Sequence, residues 1–189
     1  PAVTIGAAPG TTVCQGVVVT FTPSPVWGGT TPTFTWYVNG ANVATGNTYS
    51  YAPLDGDVVF CSIVSSYACV TTTAAVLSNN IAMHVDESTA PTVSIMVNSG
   101  ANVGTVLYND TLTAVTTHAG PNPQYQWSVN GMAITGATNA TYIVSTLNHN
   151  DAVSVTVSKL NACGLLSATD QVIVTSTNVG VTNVTAVAL

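Results

Sequence analysis

The chain has 189 residues, of which 47% are hydrophobic and only 4% are charged. Globular domains usually carry about 25% charged residues, whereas Lys159 is the sole cation here and the formal net charge is -6. Nucleic-acid partners and anionic membrane surfaces are therefore excluded, because both are bound through clusters of Lys and Arg. No run approaches the ~18 apolar residues of a membrane span, so we expect no membrane insertion.

One pentapeptide occurs twice in slightly altered form. Trp36–Gly40 reads Trp-Tyr-Val-Asn-Gly, and Trp127–Gly131 reads Trp-Ser-Val-Asn-Gly. Each copy is followed by a Thr-Tyr pair and then by a leucine. Self-similarity at a fixed spacing indicates one structural unit used more than once. The chain is therefore predicted to contain two related domains.

Strand signals run through the first half in regular order. Asn39-Gly40 is typical of a two-residue hairpin turn, and Pro23 and Pro25 are expected to close the strand before them. A further irregular strand is expected within 70–80. The predicted strands of this half are 1–5, 17–22, 33–38, 48–51, 58–65 and 81–85.

The second half repeats this pattern. Its predicted strands are 92–97, 111–115, 124–129, 141–144, 152–158 and 171–175. Turn signals every 8–12 residues are typical of an all-β sandwich. The predicted fold is all-β, with two tandem immunoglobulin-like β-sandwiches and a short β-prone C-terminal tail. The predicted bounds are 1–86 for the first domain, 87–90 for a linker, 91–176 for the second domain and 177–189 for the tail.

A neutral, Thr-rich exterior lacks the charges that normally keep sheet edges apart. Either glycans cover such a surface or it packs against other protein. An apolar strand added to an open sheet edge is one way to assemble copies of a chain. The residues predicted to take part in assembly lie at the two ends of the chain: Val3, Ile5, Val179, Val181, Val184, Val187 and Leu189.

Residues 1–86 resemble the immunoglobulin-like repeats of large secreted and surface proteins of Bacteroidetes. The segments that carry the resemblance are Val13–Phe21, Gly28–Gly40, Asp55–Cys61 and Ala74–Val85. The resemblance is weaker over 91–176. It implies export by the type nine secretion system, an extracellular or cell-surface location, and an adhesive, filamentous or spacer role.

Four cysteines in an extracellular chain predict disulfides, with three complete pairings open. The resemblance implies a bond between Cys14 and Cys69, with Cys61 as a buried thiol. Cys14–Cys61 is the alternative. Cys163 has no partner in its own predicted domain, so it is either a small buried residue or a cross-link to another copy.

The three tryptophans are predicted to have different roles. Trp36 and Trp127 are expected in the two cores, as in immunoglobulin sandwiches. Trp27 follows Pro25-Val26 in a glycine-rich loop, where an aromatic side chain is able to stack on a sugar or to anchor a protein contact. The alternative is that Trp27 caps the end of its own sandwich.

Catalytic and metal chemistry find little support in the sequence. His84, His118 and His149 are scattered, without a Cys, Asp or His at ligand spacing. Asp55-Gly56-Asp57 resembles a short calcium loop but supplies too few oxygens for that ion. No cofactor and no enzyme activity are predicted.

Four acceptor patterns for glycosylation are present. Asn109, Asn139 and Asn183 each stand two residues before a threonine, as in N-glycan acceptors. Thr111 lies in Asp110-Thr111-Leu112, which resembles the Bacteroidetes O-glycan acceptor.

The functional hypothesis is an extracellular structural protein, a subunit of a self-assembling surface filament or a segment of an adhesin. Its partners are other copies of the chain, joined by strand addition, with glycans as further partners. The alternative is a glycan- or protein-binding immunoglobulin-like module of a larger secreted protein or hydrolase.

Overall fold

The computed structural model describes residues 1–67, 74–98, 106, 109–145 and 147–174. The chain forms two compact units. Unit 1 comprises Pro1–Ser88 together with Asn161–Gly164, and unit 2 comprises Thr89–Leu160 with Leu165–Leu189. Within the described ranges every regular element is a strand, and no helix is long and apolar enough to cross a membrane.

The described residues of unit 1 form ten strands. They are β1 (Ala2–Ala8), β2 (Thr12–Cys14), β3 (Val19–Val26), β4 (Thr33–Val38), β5 (Ala41–Thr45), β6 (Tyr49–Tyr51), β7 (Val58–Val64), β8 (Val76–Leu77), β9 (Ile81–Ala82) and β10 (His84–Asp86). One sheet has the order β1-β3-β6, and the other has the order β5-β4-β7-β8, with β9 also paired to β7. A short parallel pair joins β2 and β10.

In the part of unit 2 that the structure describes there are seven strands. They are β11 (Thr92–Asn98), β12 (Thr111–Thr117), β13 (Gln124–Val129), β14 (Met132–Ala133), β15 (Thr141–Ile143), β16 (Ala152–Asn161) and β17 (Gly164–Ile173). The sheets have the orders β11-β12-β15 and β14-β13-β16-β17. The strand order therefore repeats that of unit 1.

Each unit is a β-sandwich because alternate residues of both sheets point into one core. In unit 1 this core joins Val3 and Ile5 of one sheet to Trp36 and Cys61 of the other. In unit 2 it joins Leu112 of one sheet to Trp127, Val153 and Val155 of the other. Both units are immunoglobulin-like β-sandwiches, and the predicted fold is confirmed.

The repeated tryptophans occupy equivalent places in the two cores. Trp36 and Trp127 are fully buried, and each indole N–H donates to a backbone carbonyl at 2.9 Å, from Trp36 to Gly46 and from Trp127 to Asn139. A buried indole would otherwise leave its donor unsatisfied, which costs about 1–3 kcal/mol. The prediction that both are core residues is confirmed.

The Asn-Gly turns also have the predicted form. Asn39 and Gly40 have φ of 51° and 80°, and Asn130 and Gly131 have φ of 50° and 79°. Two consecutive residues at positive φ match the twist of a tight hairpin. These turns connect β4 to β5 and β13 to β14.

Several strand boundaries differ from the prediction, and the largest differences are in β3 and β17. β3 continues through Pro23 and Pro25 rather than ending before them. β17 begins at Gly164, whereas only 171–175 was predicted as a strand. Its first residues, Gly-Leu-Leu-Ser-Ala, do not alternate between apolar and polar, so the sequence carries no period-two signal there.

The predicted cysteine pairings are wrong. Cys14 is bonded to Cys163, with 4.7 Å between the Cα atoms, and is therefore bonded neither to Cys61 nor to Cys69. Cys61 is a buried free thiol, as predicted, and burial raises its pKa. Cys69 lies outside the described residues. Cys163 is neither a small core residue nor a cross-link between copies.

The disulfide lies beside a set of hydrogen bonds to β10. The Asp86 carboxylate accepts from the Ala162 N–H at 2.8 Å, and the Glu87 carbonyl accepts from the Asn161 amide at 3.2 Å. These contacts explain why Asn161–Gly164 belongs to unit 1, although the sequence analysis placed these four residues in the second domain.

We expect Cys14→Ser to lower the free energy of unfolding of unit 1 by about 3–5 kcal/mol, because the disulfide closes a loop with a sequence separation of 149. Urea unfolding without reductant measures the loss. Dithiothreitol should lower the stability of the wild type by a similar amount and leave the variant unchanged. Equal stability of variant and wild type would contradict the assignment.

Candidate functional site: strand edges and an exposed aromatic pair

The loop between β3 and β4 carries an exposed tryptophan. Trp27 is 72% exposed, so it does not cap its own sandwich. Tyr67, which follows β7, is 51% exposed. The two rings have centroids 6.4 Å apart and an interplanar angle of 75°. We call Trp27 and Tyr67 the aromatic pair.

Hydrogen bonds fasten the backbone of this loop to the end of β7. The Ser65 hydroxyl donates to the carbonyls of Trp27 and Gly28 at 3.0 and 3.1 Å. The Ser66 N–H donates to the Gly28 carbonyl at 3.0 Å, and the Thr31 N–H donates to the Ser66 hydroxyl at 2.9 Å. The loop that carries Trp27 is therefore held in one conformation at several points.

Gly29 is required by this close approach. It has φ of 83°, a conformation that favours glycine. A Cβ at this position would overlap the Ser66 hydroxyl oxygen and lie 2.8 Å from the Tyr67 backbone nitrogen. Any other residue would push the end of β7 away from the loop.

Unit 2 has a histidine at the equivalent position. Trp27 and His118 have φ of 57° and 53°, so the left-handed conformation belongs to the repeat. The residue type differs: the His118 ring nitrogen lies 3.2 Å from the Thr117 hydroxyl. The fold therefore does not require tryptophan at this position.

The first strand of each unit has its outer edge occupied by a side chain. The Ile5 N–H donates to the Asn79 amide oxygen at 2.8 Å, and the Asn79 amide donates to the Ile5 carbonyl at 3.3 Å. In unit 2 the Ile95 N–H donates to the Asp170 carboxylate at 2.8 Å. A strand edge whose polar groups are already bonded is a poor template for another chain.

Two prolines protect β3, the middle strand of the sheet β1-β3-β6. Because Ile5 directs its N–H away from β3, its partner Pro23 and the next alternate residue, Pro25, face the opposite edge of β3. Proline has no N–H to offer. The part of β3 that does not pair with β6 therefore offers no backbone N–H at these two positions. Because no partner strand requires a donor there, both prolines are tolerated inside β3.

Other outer strands are short or interrupted. β6 and β15 have three residues each, and β14 has two. β5 has five residues, and a register shift interrupts its pairing with β4. β8 and β9 both pair with β7 but are separated by Ser78–Asn80. Within this interruption the Ser78 hydroxyl, rather than a carbonyl, accepts from the Cys61 N–H at 3.0 Å. Such interruptions are a common protection against edge pairing.

β17 is different because it is an outer strand of ten uninterrupted residues. It contains neither proline nor lysine, and its single charge, Asp170, is bonded to Ile95. Within the described ranges β16 is its one neighbour in the sheet. It therefore lacks the protection seen at the edges of unit 1.

The alternation of β17 determines which groups face outward. The Val174 N–H donates to the Asp151 carbonyl at 2.9 Å, and the Thr156 and Thr169 hydroxyls lie 2.8 Å apart across the pair. The even-numbered residues of β17 therefore form the backbone hydrogen bonds to β16. The backbone groups directed away from β16 belong to Leu165, Ser167, Thr169, Gln171 and Ile173.

Two carboxylates, one in each unit, fasten the Asn-Gly turns. Asp57 is buried and accepts from the Asn39 amide at 2.8 Å, the Leu54 N–H at 2.9 Å and the Tyr51 hydroxyl at 3.1 Å. Burial of the ring, followed by the charge of Asp57, raises the pKa of Tyr51. A carboxylate with three donors has no free role as a calcium ligand.

Unit 2 repeats this arrangement. Asp151 accepts from the Asn130 amide and the Asn148 N–H, both at 2.7 Å. The hydrogen bond from the Asn148 N–H, followed by that from Asn130, holds the pKa of Asp151 below its usual value. The Asn130 side-chain oxygen Oδ1 in turn accepts from the Ala152 N–H at 2.9 Å. The Asn-Gly turn is thereby joined to the start of β16.

His84 lies between two acids of unit 1. Its Nδ1 is 3.0 Å from Asp55, and its Nε2 is 3.4 Å from Asp86. The Val85 N–H, donating at 2.8 Å, is the main cause that lowers the pKa of Asp55. Within the described ranges no group of three or more His, Cys, Asp or Glu side chains is placed to hold a metal ion.

The remaining predicted site residues divide into three groups. Val3 and Ile5 are 6% and 7% exposed and pair with β3, so they already belong to their own core. Asn109 and Asn139 are exposed, and Thr111 is half-buried in β12. The tail residues lie outside the described ranges: Val179, Val181, Val184, Val187 and Leu189.

The structure adds residues that the sequence analysis did not select. Tyr67 and Gly29 had no periodic or motif signal, although Gly28-Gly29 marks a turn. The sequence does not indicate the β17 edge, because it does not predict most of that strand. Asn79 and Asp170 are ordinary polar residues in sequence, and only their contacts with Ile5 and Ile95 reveal their function.

No protein-family model and no curated protein matches this chain. Similar solved structures include three N-terminal domains of the outer capsid protein Hoc of bacteriophage RB49, with 14% identity and a TM-score of 0.41; they cover 92% of this chain, which spans 59% of that one. A fibronectin(III)-like structure of Clostridium thermocellum CbhA has 13% identity and a TM-score of 0.41, covering 90% and 94% of the two chains.

The amphioxus IgVJ-C2 molecule has 15% identity and a TM-score of 0.47, with coverage of 87% and 99%. These structures are immunoglobulin-like or fibronectin-like. At such identities and scores, the similarity says nothing about what the chain binds, and the fold rests on the strand order described above.

We expect acid to destabilise unit 2 in part through Asp151. A carboxylate whose folded pKa lies below its unfolded value of about 3.9 stabilises the fold above that pH, and this contribution is lost as the pH falls through the folded pKa. Asp151→Asn should therefore unfold at lower urea than the wild type at pH 7, and the difference should shrink as the pH falls through the folded pKa of Asp151. The indole N–H resonance of Trp127 reports the unfolding of unit 2, and a difference that stays the same from pH 7 into the acid range would contradict this role.

Proposed function

We propose that this protein is an extracellular structural module that assembles with copies of itself by strand addition, as a subunit of a surface filament or a segment of an adhesin. The observation that carries the proposal is the long edge of β17, which is unprotected while the edges of unit 1 are bonded, interrupted or rich in proline. Edges of this kind are templates for pairing with another chain.

The extracellular assignment has two supports. Disulfides such as Cys14–Cys163 persist in oxidising compartments. The resemblance of residues 1–86 to repeats of Bacteroidetes surface proteins points the same way, and export by the type nine system belongs to the same proposal.

The donor in this proposal is the segment 178–189 of a neighbouring copy. It supplies the valines and the leucine that the sequence analysis selected, and it is long enough to cover the ten residues of β17. β1 is unsuited to this role because its removal would expose Val3 and Ile5 from their own core. A contact from the tail of one copy to the edge of the next does not close on itself, so it builds a filament.

We expect Ser167→Lys with Gln171→Lys to abolish assembly, because two charges on the edge strand oppose pairing with an apolar segment. Both side chains are exposed, so the thermal midpoint should change little. Sedimentation velocity and negative-stain electron microscopy measure the polymers. A lysine at the exposed turn residue Thr138 is the matched control and should leave assembly intact.

A wild-type chain that sediments as one monodisperse monomer without attached sugar would refute self-assembly. Polymers that persist in the double lysine variant would refute the β17 edge as acceptor.

Deletion of 178–189 should also abolish polymers while leaving a folded monomer. Mixing this truncated protein, which keeps the edge, with the double lysine variant, which keeps the tail, should give 1:1 dimers that do not grow. Undiminished polymers from the truncated protein would show that the tail is not the donor. A mixture that stays monomeric would show that tail and edge do not bind each other.

A further inference from the structure

Trp27 is not explained by the packing of its own unit. It is the sole exposed tryptophan of the three in the chain, since Trp36 and Trp127 are fully buried. A bulky residue at φ of 57° is unfavourable, and conformations of this kind cost about 1–3 kcal/mol. Burial of the indole does not offset that cost, and unit 2 adopts the same conformation with His118. The residue therefore has a role outside its own core.

The aromatic pair is held ready for a ligand. Four donor groups from Ser65, Ser66 and Thr31 close the loop onto the end of β7, and the Tyr67 N–H donates to the Ser65 hydroxyl at 3.1 Å. A surface whose backbone is already fixed loses little conformational entropy on binding. The two rings meet at 75°, so they form a corner in which one ring offers its face and the other its edge.

The chemistry around the pair is neutral. Residues 16–54 and 58–67 contain no Asp, Glu, Lys or Arg, and the one cation of the chain, Lys159, belongs to unit 2. A phosphate, sulfate or carboxylate ligand would have no counter-charge here, and neither would a cationic one. Exposed hydroxyls are present at Thr30 and Thr31 on the same loop.

A neutral sugar ring matches these features. Its C–H face is apolar and packs flat on an indole, while its rim carries hydroxyls that bond to groups such as Thr30, Thr31 and the Tyr67 phenol. Trp and Tyr combine a large apolar body with a polar tip, which suits such a mixed ligand. We propose that Trp27 and Tyr67 form a binding site for a neutral saccharide. This site does not depend on strand addition and is a second function of unit 1.

Fluorescence quenching by acrylamide tests the site, because Trp36 and Trp127 are inaccessible and the quenched emission reports Trp27. The probes are hexasaccharides of glucose, mannose and galactose, with heparin and polygalacturonate as charged comparisons. We expect at least one neutral hexasaccharide to slow the quenching of Trp27 at least twofold, and neither charged polymer to do so.

Calorimetry with the active hexasaccharide then compares variants. Trp27→Ala and Tyr67→Ala should each weaken binding at least tenfold, while Trp27→Phe should keep part of it because an aromatic face remains. Gly29→Ala should weaken binding at least tenfold by displacing Ser66 and Tyr67. Met132→Ala, at an exposed residue of unit 2, is the matched control and should bind as the wild type does. Thermal midpoints of the Trp27 variants should stay near that of the wild type.

The proposal is overturned if none of the neutral hexasaccharides protects Trp27 from quenching. This is also the result expected if Trp27 instead contacts a protein partner. Equal protection by a charged polymer would overturn the neutral assignment. Unchanged affinity in Trp27→Ala would also overturn the site. Because the edge variant Ser167→Lys with Gln171→Lys keeps the aromatic pair, saccharide binding by that variant separates this site from assembly.

Discussion

The burial of one tryptophan between two sheets is the interaction on which each unit depends. Trp36 and Trp127 fill the centre of their cores, and each bonds its indole N–H to a backbone carbonyl at 2.9 Å. Both demands, a large apolar volume and an acceptor in the right place, are met only if the hairpin after the tryptophan folds back correctly. The Asn-Gly turn and its link to Asp57 or Asp151 fix that hairpin. Core, turn and carboxylate therefore recur together in both units.

Four of the seven acidic residues of the chain accept hydrogen bonds that the fold requires. Asp57, Asp86, Asp151 and Asp170 each accept a backbone N–H or an amide. They satisfy groups that the fold would otherwise leave without a partner. Charges used in this way contribute little to keeping strand edges apart. Unit 1 protects its edges with prolines, an asparagine and an interrupted strand instead, whereas β17 of unit 2 has none of these. The difference between two otherwise similar repeats is what gives the assembly hypothesis a specific location.

The repeat also separates features of the fold from features of function. The left-handed residue before β4 and β13 occurs in both units, so its conformation is structural. Tryptophan occurs in one unit and histidine in the other. Because the backbone conformation is the same in both units, the difference in residue type indicates that the tryptophan side chain has a role of its own. The same comparison shows that Asn79 and Asp170 have the same role, since each accepts a hydrogen bond from a backbone N–H in the middle of the first strand of a unit.

The sequence alone determined the all-β class, the repeat, both core tryptophans and both Asn-Gly turns, because these depend on periodicity and on local backbone preference. Thr33–Val38 and Gln124–Val129 were predicted to the residue. The partner of Cys14 could be identified from the fold but not from the sequence, since Cys163 lies 149 residues away and no local pattern encodes that distance. The tertiary structure also decided the extent of β17, the path of β3 through two prolines and the placement of Tyr67 beside Trp27. Each of these rests on which groups meet across sheets and loops, and contacts between distant residues leave no periodic trace in the chain.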